Sequence, residues 1–282
     1  MNGAEALVET MLASGIKVCF ANPGTSEMSF VAALDTHLDM RCILCLFEGG
    51  ATGAADGYAR MSGELAATLL HLGPGLANGW ANLHNARKGG SPVLNVVGDH
   101  ATHHLKHDAP LQADLEGVAR SVSAWVRRVD DASALATEGA AGIRAARSAG
   151  GQIATLILPA DAAWTETATE PTRAAAPPPL HRPDADRVAA AAKALFEPGA
   201  ALLVSGPALH GALAELAGRI ATRTGCRLLA PFFAPRITRG AGAVAFEQLR
   251  YRLDQNQAFL ADLQRLVCVG EAPPVAFFAY PG

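Results

Sequence analysis

No stretch of this 282-residue chain stays apolar for the roughly 20 residues that a membrane-crossing helix needs, although half of its composition is hydrophobic. Basic runs are absent as well, and the formal net charge is −3. That balance argues against a nucleic-acid partner and against electrostatic attachment to an acidic membrane. Zinc-finger spacing and RNA-binding aromatic motifs are also missing. The opening Met1-Asn2-Gly3-Ala4-Glu5-Ala6-Leu7 lacks the basic-then-apolar order of a signal peptide, so the expected compartment is the cytoplasm. The five cysteines form no disulfide framework. Cys42 and Cys45 are spaced C-x-x-C inside an apolar strand-like run, where residues three apart point to opposite faces. Cys19, Cys226 and Cys268 fall in similar runs and read as small hydrophobes.

What the chain does contain is alternation. From Ala4 to about Trp164, helical segments alternate with short apolar strands at 17–21, 42–47, 66–70, 93–98 and 153–158. This pattern predicts an α/β fold, a doubly wound and mainly parallel sheet covered on both faces. Leu7, Val8, Met11 and Leu12 recur with the helical period. Residues 165–184, with three consecutive prolines from Pro177 to Pro179, read as an extended linker between a first domain (1–164) and a second (185–282). The second restarts with a helix at 186–196 and a strand at 201–205. A helix at 208–222, a strand at 227–231, a helix at 256–263 and a strand at 266–270 follow.

One acid stands apart. Glu48 lies between the apolar run 42–47 and the small-residue segment Gly49-Gly50-Ala51-Thr52-Gly53-Ala54-Ala55-Asp56-Gly57-Tyr58-Ala59-Arg60, expected to turn helical near Gly50. Glycine and alanine let a backbone or flat ligand approach closely, and a carboxyl group there suits proton exchange with a heterocyclic nitrogen. An acid capping the helix accounts for the same position. Three further segments share this strand-to-turn setting. Asn22-Pro23-Gly24-Thr25-Ser26-Glu27 joins an apolar strand to a helix near Met28, with Thr25 or Ser26 as its cap and Glu27 in its first turn. His71-Leu72-Gly73-Pro74-Gly75-Leu76-Ala77-Asn78 follows the strand 67–70 as a turn, and Asp108-Ala109-Pro110-Leu111-Gln112 follows the strand 93–98.

These four segments, in this order, resemble the pyrimidine-binding domain of thiamine-diphosphate-dependent enzymes, in the branch of acetohydroxyacid (acetolactate) synthase and benzoylformate decarboxylase. The resemblance implies that Glu48 hydrogen-bonds N1′ of the aminopyrimidine and drives the ring to the imino form that deprotonates the thiazolium. It implies a catalytic histidine at His71 and cofactor contacts from Pro23, Gly24, Thr25, Gly73, Pro74 and Asn78. Gln112 would face the cofactor of a neighbouring subunit. Thr25 stands where the decarboxylases place a serine, and helix capping explains it equally well. Phe47 departs from the synthases, which commonly carry a histidine before the glutamate. The second domain resembles the first part of the family's Rossmann-like central domain. Ser205-Gly206-Pro207 lacks the full G-x-G-x-x-G pattern, so a plain strand-to-helix turn is expected there and no FAD.

The family's Gly-Asp-Gly motif, which holds Mg²⁺ and the diphosphate, has no counterpart. Gly98-Asp99 is followed by His100. Mg²⁺ is therefore expected only with an absent third domain, and no metal ligand is assigned in this chain. The chain reads as a truncated or split polypeptide, working as a homo-oligomer or with a partner chain that supplies the missing domain. Two functions remain open. One is an enzyme acting on 2-oxo acids, by simple decarboxylation or by acetolactate-type carboligation. The other is a non-catalytic remnant that binds a full-length relative. The run His100-Ala101-Thr102-His103-His104-Leu105-Lys106-His107 reads as a polar loop over the site. If helical, it would put His100, His103 or His104, and His107 on one face, where they could hold a metal.

Overall fold

The computed structural model describes residues 1–279, so the last three positions of the expected second domain lie outside the described residues. The chain forms two compact units, Met1–Leu180 and His181 onward. In the first unit, α1 (Gly3–Ala13) opens on an Asn2 cap. The Asn2 side chain accepts from Glu5 N at 2.9 Å, and the Glu5 carboxylate accepts from Asn2 N at 2.8 Å, a reciprocal cap that satisfies two otherwise orphaned donors. There follow β1 (Val18–Asn22), α2 (Met28–Thr36), β2 (Arg41–Leu44), α3 (Glu48–Ser62), β3 (Ala66–Leu70), α4 (Leu72–Gly89) and β4 (Val93–Asp99). Then come α5 (Leu115–Arg120), β5 (Trp125–Arg128), α6 (Leu135–Arg147), β6 (Ile153–Pro159) and α7 (Ala160–Trp164).

The six strands pair in parallel in the order β2-β1-β3-β4-β6-β5. Alternate residues face opposite layers. Leu94 and Val96 of β4 pack in one core with α1, α2, α6 and α7. Val93 and Val97 pack in the other, with α3, α4 and α5. Because both faces are covered, β3, β4 and β6 are buried along their whole length, as parallel sheets require. A polar chain crosses this core. Thr68 Oγ1 donates to Asn95 Oδ1 at 2.7 Å, Asn95 Nδ2 donates to Thr155 Oγ1 at 3.1 Å, and Thr155 meets Ser123 Oγ at 2.7 Å.

The second unit contains α8 (Ala185–Leu195), β7 (Ala200–Val204), α9 (Gly211–Thr224), β8 (Arg227–Ala230), β9 (Glu247–Gln248), α10 (Leu253–Leu260) and β10 (Arg265–Val269). Its four strands are also parallel, in the order β10-β7-β8-β9. The doubly wound, mainly parallel expectation therefore holds. The short strands β5 and β9 were not visible in the sequence.

Some local expectations need correction. The run 42–47 is not a buried strand: β2 stops at Leu44 on the sheet edge, Cys42 is exposed and Leu46 is 96% exposed. An edge strand has one neighbour rather than two, so apolarity alone did not predict burial. Helix α3 begins at Glu48 rather than near Gly50. Residues 165–176 form no helix and no strand of either sheet, and they lie along the first unit: Thr172 N donates to Thr10 Oγ1, and Ala174 N to Ser14 Oγ.

Candidate active site

In an open parallel sheet, ligands settle beyond the carboxyl ends of the strands where the winding direction reverses. Here β1 has β2 on one side and β3 on the other, so the reversal lies between β1 and β3. The chain leaves β1 at Asn22 and enters Pro23-Gly24; it leaves β3 at Leu70 and enters His71. The Pro23-Gly24 segment and His71 thus flank this switch point.

Glu48 occupies the first turn of α3, where the helix dipole favours a carboxylate, yet it is only 8% exposed. Its Oε2 accepts from Asn78 Nδ2 of α4 at 3.0 Å, while Oε1 has no protein donor among the described residues. Gly75 makes this arrangement possible: a Cβ there would come to 3.0 Å from Glu48 Oε1 and 3.4 Å from His71 Cβ. Glu48 and His71 therefore stand on either side of Gly75. Below the carboxylate, Thr52 Oγ1 donates to Gly79 O at 3.0 Å and Asn82 Nδ2 donates to Gly49 O at 2.7 Å. These bonds lock the close-packed pair α3 and α4, and with it the Glu48–Asn78 geometry. The remainder of the motif is structural. Asp56 accepts from Arg60 Nε at 2.7 Å and from Ser91 Oγ, and Arg60 Nη2 reaches Asn85 O at 3.2 Å.

His71 is the N-cap residue of α4. The expected Gly73-Pro74-Gly75 turn is instead the first turn of that helix. The bend is made by Leu72, fully buried at φ +52°, a left-handed conformation that costs a bulky residue about 1–3 kcal/mol. The imidazole packs over Gly24, where a Cβ would lie 2.6 Å from His71 Nε2 and closer still to Nδ1.

Glu27, expected as an acid in the first turn of a helix, is instead buried against His71. Glu27 is 1% exposed, and its Oε2 meets both His71 Nδ1 and Gly24 N at 2.7 Å. Thr25 and Ser26 make no capping bond; Gly24 holds the cap position of the 3₁₀ turn Thr25–Glu27, and Thr25 is exposed. Burial pushes the Glu27 carboxyl up from its ordinary range, against the downward pull of the Gly24 amide and His71. Space for it is provided by Gly98 at the end of β4, whose missing side chain would collide with Glu27 Oε1. An isolated acid opening an apolar helix was the available signal for Glu27.

Pro74 and Asn78 are exposed along the crevice side of α4, and Gly73 is covered by the loop that carries Gln112. A Cβ on Gly73 would strike Ala113 Cβ and approach Leu111 O at 3.6 Å. The histidine run forms a 3₁₀ helix, Thr102–His107, rather than an α-helical face. Among the described residues no group of three or more His, Cys, Asp or Glu is placed to hold a metal ion. Asp99 is buried and engaged by Arg128 Nη1 at 2.6 Å, with Arg128 Nε also on Glu116 at 3.1 Å.

Residues 1–119 match the family described as "Thiamine pyrophosphate enzyme, N-terminal TPP binding domain". The chain is 52% identical over 286 residues to a Mycobacterium tuberculosis protein named "Putative acetolactate synthase large subunit IlvX", covering 100% of this chain and 54% of that one. It is 31% identical over 134 residues to the acetolactate synthase isozyme 3 large subunit of Escherichia coli, covering 46% of this chain and 23% of that one. The fold matches a Mycobacterium smegmatis structure described as "a putative thiamin diphosphate-dependent enzyme", with a TM-score of 0.84 at 22% identity, over 100% of this chain and 54% of that one. The chain thus spans about half the length of the Mycobacterium tuberculosis relative that it matches from end to end.

Proposed function

We propose that this chain, whose residues 1–119 match the N-terminal TPP binding domain of the thiamine pyrophosphate enzymes, supplies the pyrimidine-side half of a thiamine-diphosphate site acting on 2-oxo acids. The observation that carries the reading is the carboxyl group of Glu48. It is buried, held by Asn78 through one oxygen, and left without a protein donor on the other, beside the open edge made by Gly75. That free Oε1 suits a protonated ring nitrogen, and Gly50, where a Cβ would meet nothing within 4 Å, leaves room nearby. Thiamine diphosphate, when bound, supplies the carbanion-stabilising centre that amino acid side chains lack.

The chain's own groups divide the remaining tasks. Glu48 holds or moves a proton at the aminopyrimidine, and Asn78 keeps its carboxylate oriented. His71 is the acid–base group on the substrate side, its Nδ1 held by Glu27 so that Nε2 is the nitrogen left to work. Pro23, Gly24, Thr25 and Pro74 line the cofactor crevice, and Gly73 packs beneath the loop bearing Gln112, which closes one end. Mg²⁺ and the diphosphate are assigned to a separate polypeptide or domain, and the assembly to an oligomer. No helix among the described residues is long and apolar enough to cross a membrane, and we assign the protein to the cytoplasm.

The test is Glu48→Gln in a complex reconstituted with a polypeptide bearing the diphosphate-binding domain. Turnover of a 2-oxo acid should fall by at least ~100-fold, the usual scale for a general acid–base group. Undiminished turnover would refute the role of Glu48.

A further inference from the structure

Three buried side-chain polar atoms have no partner among the described residues: Glu27 Oε1, His100 Nε2 and Gln112 Oε1. Buried polar atoms in folded proteins are nearly always satisfied, by protein or by ordered water. Two of the three belong to residues at the carboxyl end of β4 or against it. Glu27 Oε1 points at the side-chain position of Gly98. Leu94 and Val96 put the even-numbered residues of β4 on the side of α1, α2 and α6. Alternation carries Gly98 to that same side, and His100 follows two residues on, just past the end of β4 at Asp99. Asp99 points the other way, onto Arg128. The bare oxygen of Glu27 therefore lies against Gly98, two residues before the residue that carries the buried, unpartnered imidazole nitrogen, His100. Beyond His100 the run continues outward: the His100 and His104 rings are 5.7 Å apart, those of His104 and His107 are 5.4 Å apart, and His104 and His107 are exposed.

We propose that a water molecule joins Glu27 Oε1 to His100 Nε2, making His100 the outlet of a proton relay that runs from His71 through Glu27 to the surface histidines. This assigns a use to the histidine run, and it rests on the reading of His71 as the acid–base group. One proton enters at His71 Nε2 and one passes from His71 Nδ1 to Glu27 Oε2. The carboxyl releases a proton from Oε1 to the water, the water gives one to His100 Nε2, and the other ring nitrogen of His100 releases one toward His104 and solvent. Every group is restored when the proton travels back, so no oxidant or second reactant is required. The raised affinity of Glu27 for its proton brings it closer to the range in which imidazoles titrate. The other ionisable groups near this path are Glu48, which like His71 adjoins the side-chain position of Gly75, the pair His103 and Asp161 beside Thr102, and the exposed His104 and His107; Asp99 points away, onto Arg128.

The test follows the Glu27 carboxyl carbon by NMR titration in the full chain, without cofactor or substrate. Replacing His100 with Phe removes the proton acceptor and deepens the burial, so the Glu27 midpoint should move up by about 0.5 pH unit or more, as expected for coupled sites. His103→Phe, whose ring lies toward Asp161, should leave it unchanged. A crystal structure of the unsubstituted chain should show one water within hydrogen-bonding distance of both atoms, and His100→Gln should retain it. An unmoved Glu27 midpoint in a folded His100→Phe chain, or the absence of a shared water, overturns the relay. If His100→Phe does not fold, the water in the unsubstituted chain decides. Neither measurement involves thiamine diphosphate, so failure here is distinguishable from failure of Glu48→Gln.

Discussion

Replacing Gly98 with Ala adds a single methyl group, yet it should cost more than most core truncations. The new Cβ would sit 2.5 Å from Glu27 Cδ and 2.7 Å from Cγ, with Oε1 nearer still. Ordinary contact needs about 3.5 Å, so the carboxyl must move by roughly an ångström or more. It cannot do so freely, because Oε2 is pinned at 2.7 Å by both Gly24 N and His71 Nδ1. Hydrogen bonds to a charged group contribute about 1.5–3 kcal/mol each, and overpacking alone costs about 1–3 kcal/mol. Losing one of the two bonds with some relaxation gives a destabilisation of about 3 kcal/mol. For a chain of this size that lowers Tm by about 6–12 °C. Gly50→Ala is the matched control. Gly50 is exposed in an otherwise buried first turn of α3 and its Cβ meets nothing within 4 Å, so the change should stabilise by about 0.5–1 kcal/mol through helix propensity. The assay is thermal unfolding followed by circular dichroism. Combining Gly98→Ala with Glu27→Ala should recover part of the loss, since the two positions share one space. A Gly98→Ala chain melting within about 2 °C of the unsubstituted protein, or a double variant whose losses simply add, would refute the packing account of Glu27.

Other consequences are equally direct. Because burial raises the Glu27 carboxyl above its unfolded value of about 4.3, the native state keeps its proton to higher pH than the unfolded chain. Its contribution to stability is therefore complete below about pH 4 and is lost as pH rises through the native value. Glu27→Gln removes the titration and preserves the shape. The melting temperature of that variant relative to the unsubstituted chain should therefore rise between about pH 4 and 7; parallel curves would sink this. Arg128→Met strands the buried Asp99 carboxylate, which should cost about 3 kcal/mol. Adding Asp99→Asn should restore much of it in urea unfolding, and no restoration would mean the ion pair is not the cause. Asn95→Leu breaks the Thr68–Asn95–Thr155 chain and leaves two buried hydroxyls short of a partner, so a loss of about 2 kcal/mol is expected. A neutral outcome would show that the hydroxyls find other partners.

Why Glu48 and His71 stand out in the sequence more than Glu27 does is a matter of how each signal is carried. Glu48 and His71 lie at strand-to-helix boundaries marked by glycine-rich segments, and local punctuation of that kind survives in one dimension. Glu27 becomes a site residue only because Gly98, far along the chain, leaves room for it, and because β3 and β4 are neighbours in the sheet. Strand order is a tertiary fact, and no local pattern announces it. The run 42–47 was misjudged for the same reason. Hydrophobicity reports what a segment gains when it is covered, whereas β2 is an edge strand whose covering is not contained in this chain's own fold. The glycine pattern misled in the opposite direction at Gly73-Pro74-Gly75. There Pro74 reads as a turn residue but sits in the first turn of a helix, where its missing N–H costs nothing. The bend was delegated to Leu72, held left-handed by burial rather than by residue type. The chemistry of this crevice is thus set by two levels at once. Local signals place a carboxylate and an imidazole after β2 and β3, the two strands that flank β1, and the parallel sheet then brings a second carboxylate against the imidazole.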